Sequence, residues 1–381
     1  MLKFPAIFLT LAFTGAVITL GSQPTYANED GALELAWSTS IGDSYISLVP
    51  VIVDDKVLGA VSDGPLTALN TTTGKLEWTY DPKEGMWNRG VSAEGKQVFV
   101  GLRGGKFAAL NSEDGTEQWK IDLGINTQTA HHISGDTVFV STSFVGAGLP
   151  GKPLTGSKLF SINRSDGAIN WAFTTNNHIL QSATSFGDTV YLGGSYIDPN
   201  FVGDEGGANR FHALDRHTGE VKWVHESIDG FPKTLYATEN ELTYVAYEDY
   251  SYGLDAKTGE QLWRRNTANW VQALSGVGNT IYYGAANTDV FAIDTTTGQP
   301  RWVFNIGGGT FNYVLRAPAI VDDRLYFITQ KGHIYAIDRL TGEEFWHFET
   351  ADEFRSGVTV HDGLIYASSY GGTIYAYQIM D

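Results

Sequence analysis

Residues 213–223 read Ala213-Leu214-Asp215-Arg216-His217-Thr218-Gly219-Glu220-Val221-Lys222-Trp223. The end of an apolar strand meets an aspartate, a glycine stands four places on, and a tryptophan four places beyond that. Each position has a local reason. The aspartate side chain can bond the backbone of a turn, the glycine supplies the positive φ that closes a hairpin, and the tryptophan rides on the next strand. The same spacing recurs at Asn70-Gly74-Trp78, Asn111-Gly115-Trp119, Asn163-Gly167-Trp171, Asp255-Gly259-Trp263, Asp294-Gly298-Trp302 and Asp338-Gly342-Trp346, and Thr or Asp precedes the glycine every time. Seven copies in one register mean a repeat architecture.

Upstream of each turn lie further short alternating strands, as in residues 317–321, 324–329 and 333–338 before Trp346. Four strands per repeat make a propeller blade. Trp37, in Leu35-Ala36-Trp37, is an eighth tryptophan without its turn, while residues 357–360, 364–368 and 373–378 supply three strands and stop where a tryptophan strand is due. The two ends therefore complete one blade, and the sequence predicts an all-β, eight-bladed propeller whose N-terminal strand joins the C-terminal blade. Such closure leaves no long open edge.

The motif at 213–223 resembles the tryptophan-docking motif of the PQQ-like propellers, a family that includes quinoprotein dehydrogenases and the barrel-assembly lipoprotein BamB. The resemblance covers essentially all of the chain after its first residues. It implies that each tryptophan packs between neighbouring blades, so the repeated residues are structural.

Composition agrees with a packed, turn-rich β protein, with 13% aromatic residues, 44 glycines and 18% charged residues. The start, Met1-Leu2-Lys3 followed by an apolar run over residues 4–21, reads as a signal peptide of residues 1–27 cut after Ala27. An uncleaved anchor is the alternative reading. Residues 28–381 are then a single propeller domain. Removing residues 1–27 takes away Lys3 and no acid, leaving 24 basic and 43 acidic residues, a formal charge of −19. That surface repels nucleic acid and anionic lipid. With no cysteine there is neither a disulfide nor a lipidated cysteine. The expected location is periplasmic or secreted, without a stable membrane span after cleavage.

Function has to be sought off the repeat. Counting nine residues back from the second-strand hydrophobes Val57, Val98, Val138, Val190, Leu242, Ile281 and Leu325 gives Leu48, Arg89, Thr129, Gln181, Lys233, Gln272 and Arg316. In the last blade Arg355 fits if Leu364 rather than Ile365 is the anchor. First strands line a propeller's channel, so these positions share one ring, and four of the eight are cationic. Guanidinium groups suit carboxylates and phosphates, which makes the ring an anion-binding candidate; pairing with Asp352 and Glu353 is the competing reading. Trp87 and Trp270, the only tryptophans outside the motif, stand two places before the ring in their blades, as Phe231 does, and predict an aromatic rim that stacks on a flat or sugar-like ligand. Tryptophans are 39 to 44 residues apart except for two spacings of 52, which places insertions at 144–157 and 198–209. Both follow a second strand and are expected on the face where the first strands begin.

Catalytic signatures are missing. There is no His-Glu-x-x-His, no Gly-x-Ser-x-Gly, no P-loop and no dinucleotide fingerprint, and the adjacent His131 and His132 point to opposite strand faces. The sequence supports no catalytic residue and no metal site, and the acidic loop from Asp198 to Glu205 matches no calcium spacing. The leading expectation is an exported, non-enzymatic binding scaffold with a BamB-like role in outer-membrane protein assembly. No cofactor is predicted. The resemblance keeps open a dehydrogenase using PQQ with calcium, with Arg89, Arg316 and Arg355 holding the quinone carboxylates. A polysaccharide-active lyase or lectin, with Tyr45, His178 and Tyr313 near the channel, is the other alternative. Expected partners are envelope proteins or an anionic small molecule or saccharide.

Overall fold

The computed structural model describes residues 32–44, 46, 48–62, 64–124, 131–142, 156–175, 178–196, 209–227, 232–246, 250–267, 271–286, 288–307 and 312–380, with the backbone alone at several strand positions including 87–89, 233 and 272. Among these described residues thirty-two strands form eight four-stranded antiparallel sheets. Blades 1 to 7 occupy residues 51–80, 86–122, 132–174, 178–227, 232–266, 271–305 and 319–349, and blade 8 combines 354–379 with Leu33–Ser40. First strands of neighbouring blades touch from blade 1 round to blade 6, and again between blades 7, 8 and 1. They therefore sit at the axis.

The strand sequences follow from what covers them. Second and third strands are sandwiched between two blades, so both faces are buried and the runs are nearly all apolar or small, as in Thr137–Thr142 and Lys158–Asn163. Outer strands have one wet face and alternate, as in Glu117–Asp122. The eight anchor hydrophobes all take the same place, Val57 opposite Leu69, Val98 opposite Leu110 and Ile365 opposite Tyr377 among them.

Each motif builds the same device. Asn70 accepts the Thr72 and Thr73 amides on its side-chain oxygen, at 3.2 and 3.0 Å, and the Gly74 amide on its carbonyl at 2.9 Å. Gly74 has φ +66°, which its type allows cheaply. A second reason for glycine appears only in three dimensions: a Cβ there would stand 2.6 Å from the Trp37 ring. Trp37 also donates its indole N–H to the Thr71 carbonyl at 2.8 Å. Trp78, Trp119, Trp171, Trp223, Trp263 and Trp302 repeat that bond, each to the residue after the Asn or Asp of the next blade.

The ring closes as the sequence predicts. Leu33–Ser40 pairs with Thr373–Ile379, from Leu33 opposite Ile379 to Ser40 opposite Thr373, and the Met380 amide bonds the Ala32 carbonyl at 2.9 Å. Trp37 then docks on blade 1, so the N-terminal strand stitches blade 8 to blade 1.

Candidate functional site

Antiparallel order gives the propeller two chemically different faces. The turns between first and second strands, and the motif turns between third and outer strands, lie on one face. On the other lie the entries to the first strands and the connections after the second strands. In blades 3 and 4 those connections run from Thr142 to Lys158 and from Tyr196 to Asn209. Both insertions therefore share the entry face. Their bodies, 143–155 and 197–208, lie outside the described residues, as do Tyr45, Thr129, Phe231 and Trp270.

The ring positions fall at one structural feature. In five blades the first strand breaks register near its start: between Met86 and Val91, Leu180 and Ala183, Pro232 and Thr234, Val271 and Leu274, and Phe354 and Val358. Arg89, Gln181, Lys233, Gln272 and Arg355 all sit within these bulges. Bulges re-aim side chains and end pairing, and they are over-represented beside active sites. Blade 8 carries one residue more in its bulge than blade 4, because Ile365 and not Leu364 is the equivalent of Val190. Arg355 accordingly stands ten residues before its anchor, one more than the other ring positions. In blades 1 and 7 the first strand is only three residues long, and Leu48 and Arg316 precede it. Leu48 is 5% exposed and belongs to the core, so blade 1 contributes no polar group at this level.

Side chains are described at Gln181, Arg316 and Arg355. Arg316 is half-buried, and its stem lies over Gly357 of blade 8, where a Cβ would come within 2.9 Å of the Arg316 Cβ. Glycine in the blade 8 bulge thus makes room for the arginine of blade 7. Arg355 is exposed, with its guanidinium 4.6 Å from the centre of the Tyr370 ring. Tyr370 is 40% exposed and was not legible in the sequence as a partner; the signal was its place in the turn after a second strand. Backbone bonds fix this corner: Gln330 to the Tyr313 carbonyl, Phe354 to the Gln330 carbonyl and Tyr370 to the Glu353 carbonyl, at 3.0, 3.0 and 2.7 Å. Asp352 takes the Tyr375 hydroxyl. Among the described residues no carboxylate pairs with Arg355.

Charge also changes along the axis. First strands that begin near Arg89, Lys233, Arg316 and Arg355 end at turns bearing Glu94, Glu239, Asp322 with Asp323, and Asp362. Asp54 with Asp55, Asp136 and Asp188 stand at the same turns of blades 1, 3 and 4. Some of these acids are neutralised in place, Glu94 by Arg164 at 2.6 Å and Asp323 by Arg339 at 3.2 Å. Along the axis, therefore, cations stand near the starts of four first strands and acids at the turns that end them.

A calcium-bound quinone needs convergent carboxylates or amides on the metal. Among the described residues no group of three or more His, Asp or Glu is placed to hold a metal ion. The ring positions are cations and amides, so the described residues do not fit that group. Nor is any described helix long and apolar enough to cross a membrane.

The family model for outer membrane protein assembly factor BamB matches residues 23–130, 62–198 and 161–381 in overlapping passes, which covers every blade. The chain belongs to that family. The BamB of Salmonella typhimurium is 26% identical over 356 residues, spanning 89% of this chain and 87% of its own length. The crystal structure of BamB from Moraxella catarrhalis superimposes with a TM-score of 0.63 at 21% identity, over 91% of this chain and 98% of that one. The quinohemoprotein alcohol dehydrogenase of Comamonas testosteroni gives a TM-score of 0.70 at 14% identity, over 91% of this chain and 76% of its own. Structural likeness at such identities reports the propeller alone and does not discriminate between scaffold and dehydrogenase.

Proposed function

We propose that this chain is a non-enzymatic scaffold of the cell envelope that serves in the assembly of outer membrane proteins. The observation that carries this reading is the BamB family match along the whole ring. Residues 1–27 act as the export signal, and 28–381 work as one domain in the periplasm. The docking face is the entry face, where the two insertions emerge and where Arg89, Lys233, Arg316, Arg355, Gln181 and Gln272 form a mouth for anionic groups, with Trp87 and Trp270 at its rim. Envelope proteins are the partners.

The test has two arms. Photo-crosslinkers placed in residues 144–155 and 198–208 should capture outer-membrane assembly components in the native envelope, whereas crosslinkers in the motif turns on the opposite face should not. Deleting the gene should deplete outer membrane proteins. Normal levels of those proteins, together with capture that does not depend on the face, would reject the proposal.

A further inference from the structure

Seven of the eight blades guard their outer edge with charge. The outer strands Leu33–Ser40, Leu76–Tyr80, Glu117–Asp122, Val221–Ser227, Gln261–Asn266, Pro300–Asn305 and Glu344–Glu349 each carry at least one Asp, Glu, Lys or Arg. Such charges keep an open edge from pairing with another chain. Blade 3 is the exception. Its outer strand, Ile169–Thr174, reads Ile-Asn-Trp-Ala-Phe-Thr, and no Asp, Glu, Lys, Arg or Pro occurs between Gly167 and Asn177. Ile169 is 47% exposed, and Asn170, Ala172 and Thr174 are exposed as well.

Among the described residues this strand pairs on one side only, with Lys158–Asn163. The Thr175 amide bonds the Ser157 carbonyl at 2.9 Å, and this sets the phase of the ladder. In an antiparallel pair bonded and non-bonded positions alternate, so Phe173, opposite Leu159, and Trp171, opposite Ser161, turn their backbone groups inward. Ala172 and Thr174 turn theirs outward, away from the sheet. Side chains alternate in step. Trp171 and Phe173 face blade 4, the first donating to the Arg216 carbonyl at 2.9 Å and the second lying 5.0 Å from the His212 ring. Both are half-buried, while Ala172 and Thr174 face the other side, toward solvent. The insertion of blade 3 rejoins the sheet here: a Cβ on Gly156 would collide with the Thr175 carbonyl oxygen and stand 3.0 Å from Thr174 Cγ2. The edge therefore continues the docking face proposed above.

We propose that the outer edge of blade 3 takes up an extended segment of a partner protein as a fifth strand, an uncharged segment in which apolar and polar residues alternate. Main-chain bonds to Ala172 and Thr174 supply the attachment. Residues of the segment that exchange those bonds place their side chains beside Ala172 and Thr174, in water, and are polar. Those between them lie beside Trp171 and Phe173 and are apolar. A second copy of this chain does not meet these terms, because each copy carries a net charge of −18 and pairing two edges would set the like-charged molecules side by side. The inference rests on the assembly role proposed above, in which strand-forming polypeptides are the clients, and it names the surface and the kind of segment through which a client is held.

The test uses the purified protein and short uncharged peptides in which Val or Leu alternates with Thr or Ser. N-methyl groups on the Val and Leu nitrogens, which point away from the blade, should be tolerated, and they also keep the peptide from pairing with itself. The same groups on the Thr and Ser nitrogens remove the hydrogen bonds accepted by the Ala172 and Thr174 carbonyls and should weaken binding at least tenfold. Hydrogen exchange read by NMR should show the Ala172 and Thr174 amides, open in the free protein, becoming protected by the tolerated peptide. Ala172→Pro takes away an outward N–H that the fold does not use and should lower affinity at least tenfold; if that variant does not fold, the methylated peptides decide on the wild-type protein. Equal affinity for both methylated series, or amides of Ala172 and Thr174 that stay open at saturating peptide, overturns the proposal. Should outer membrane proteins still be depleted on gene loss, that result removes the edge alone and leaves the assembly role. Normal levels of those proteins with protection of this edge remove the role and leave the strand-binding edge.

Discussion

Ring closure by Trp37 makes a quantitative demand. Trp37 is 6% exposed, packs on Gly74 of blade 1, sits 6.0 Å from the Tyr366 ring and donates its indole N–H to the Thr71 carbonyl at 2.8 Å. Replacing a buried Trp by Ala in a packed core costs about 3–5 kcal/mol. The lost hydrogen bond, about 1 kcal/mol, is part of that figure, and the Thr71 carbonyl keeps the Tyr366 hydroxyl at 3.3 Å, so no acceptor is orphaned. Against a typical total of about 5–15 kcal/mol, Trp37→Ala removes a large share of the stability. Trp346 is the internal control. It carries the same motif, but blade 8 has no turn following its third strand, and among the described residues its indole makes no such carbonyl bond. Half-buried and undocked, Trp346→Ala should cost less than about 2 kcal/mol. Urea unfolding followed by far-UV circular dichroism measures both, with an unchanged denaturant slope showing that unfolding remains one transition. Equal losses in the two variants, or a loss below about 1 kcal/mol for Trp37→Ala, would refute closure through the docking of Trp37.

Other consequences concern charge and pH. Arg355 is exposed, so Arg355→Ala should leave stability within about 0.5 kcal/mol of wild type; combined with Arg316→Ala it should weaken capture of an acidic partner at least tenfold, and unchanged capture would remove these arginines from the docking face. Burial holds His131 at about 3 and His212 at about 4, against about 6.5 in an unfolded chain. The unfolded state takes up protons first, so the stability from neutral burial is complete above pH 6.5 and is lost as pH falls towards the folded values. At pH 5 each histidine should cost about 2 kcal/mol. Urea midpoints at pH 7 and 5, with His131→Leu and His212→Leu as controls, check this. A second loss lies lower. The His217 and Thr218 amides at Asp215, and the Thr341 amide at Asp338, hold these carboxylates below their ordinary value. Their contribution is full above about pH 4 and disappears as pH falls through the folded values. Converting both to Asn, which blades 1 to 3 already use, should flatten the acid limb without altering the change between pH 7 and 5.

The fold was legible because the blade interface makes the same demand seven times. A tryptophan can dock only where the next blade offers a turn with a carbonyl at its second residue and no Cβ at its fifth, and that requirement fixes Asn or Asp, Gly and Trp at constant spacing. The mouth obeys no such demand. Its residues sit in bulges of different lengths or ahead of short strands; Arg355 stands ten rather than nine residues before the anchor Ile365, and Leu48, aligned with the others, lies in the core. Counting along one strand also cannot show that Arg355 meets Tyr370, because their proximity depends on the turn that ends the neighbouring strand. The seam at Ser251 sharpens the point. A serine in a column of Leu, Phe, Val and Ile is visible in the sequence once blades are aligned on their tryptophans, but that Arg265, opposite it, lies against Phe291 of the neighbouring blade is not. In a propeller the periodic residues therefore report how blades hold together, and function is carried by departures from the period. A departure on the entry face faces solvent and offers a partner a charge. One at a blade boundary, like Arg265 with its guanidinium carbon 5.9 Å from the Phe291 ring of the next blade, bears instead on how two blades pack.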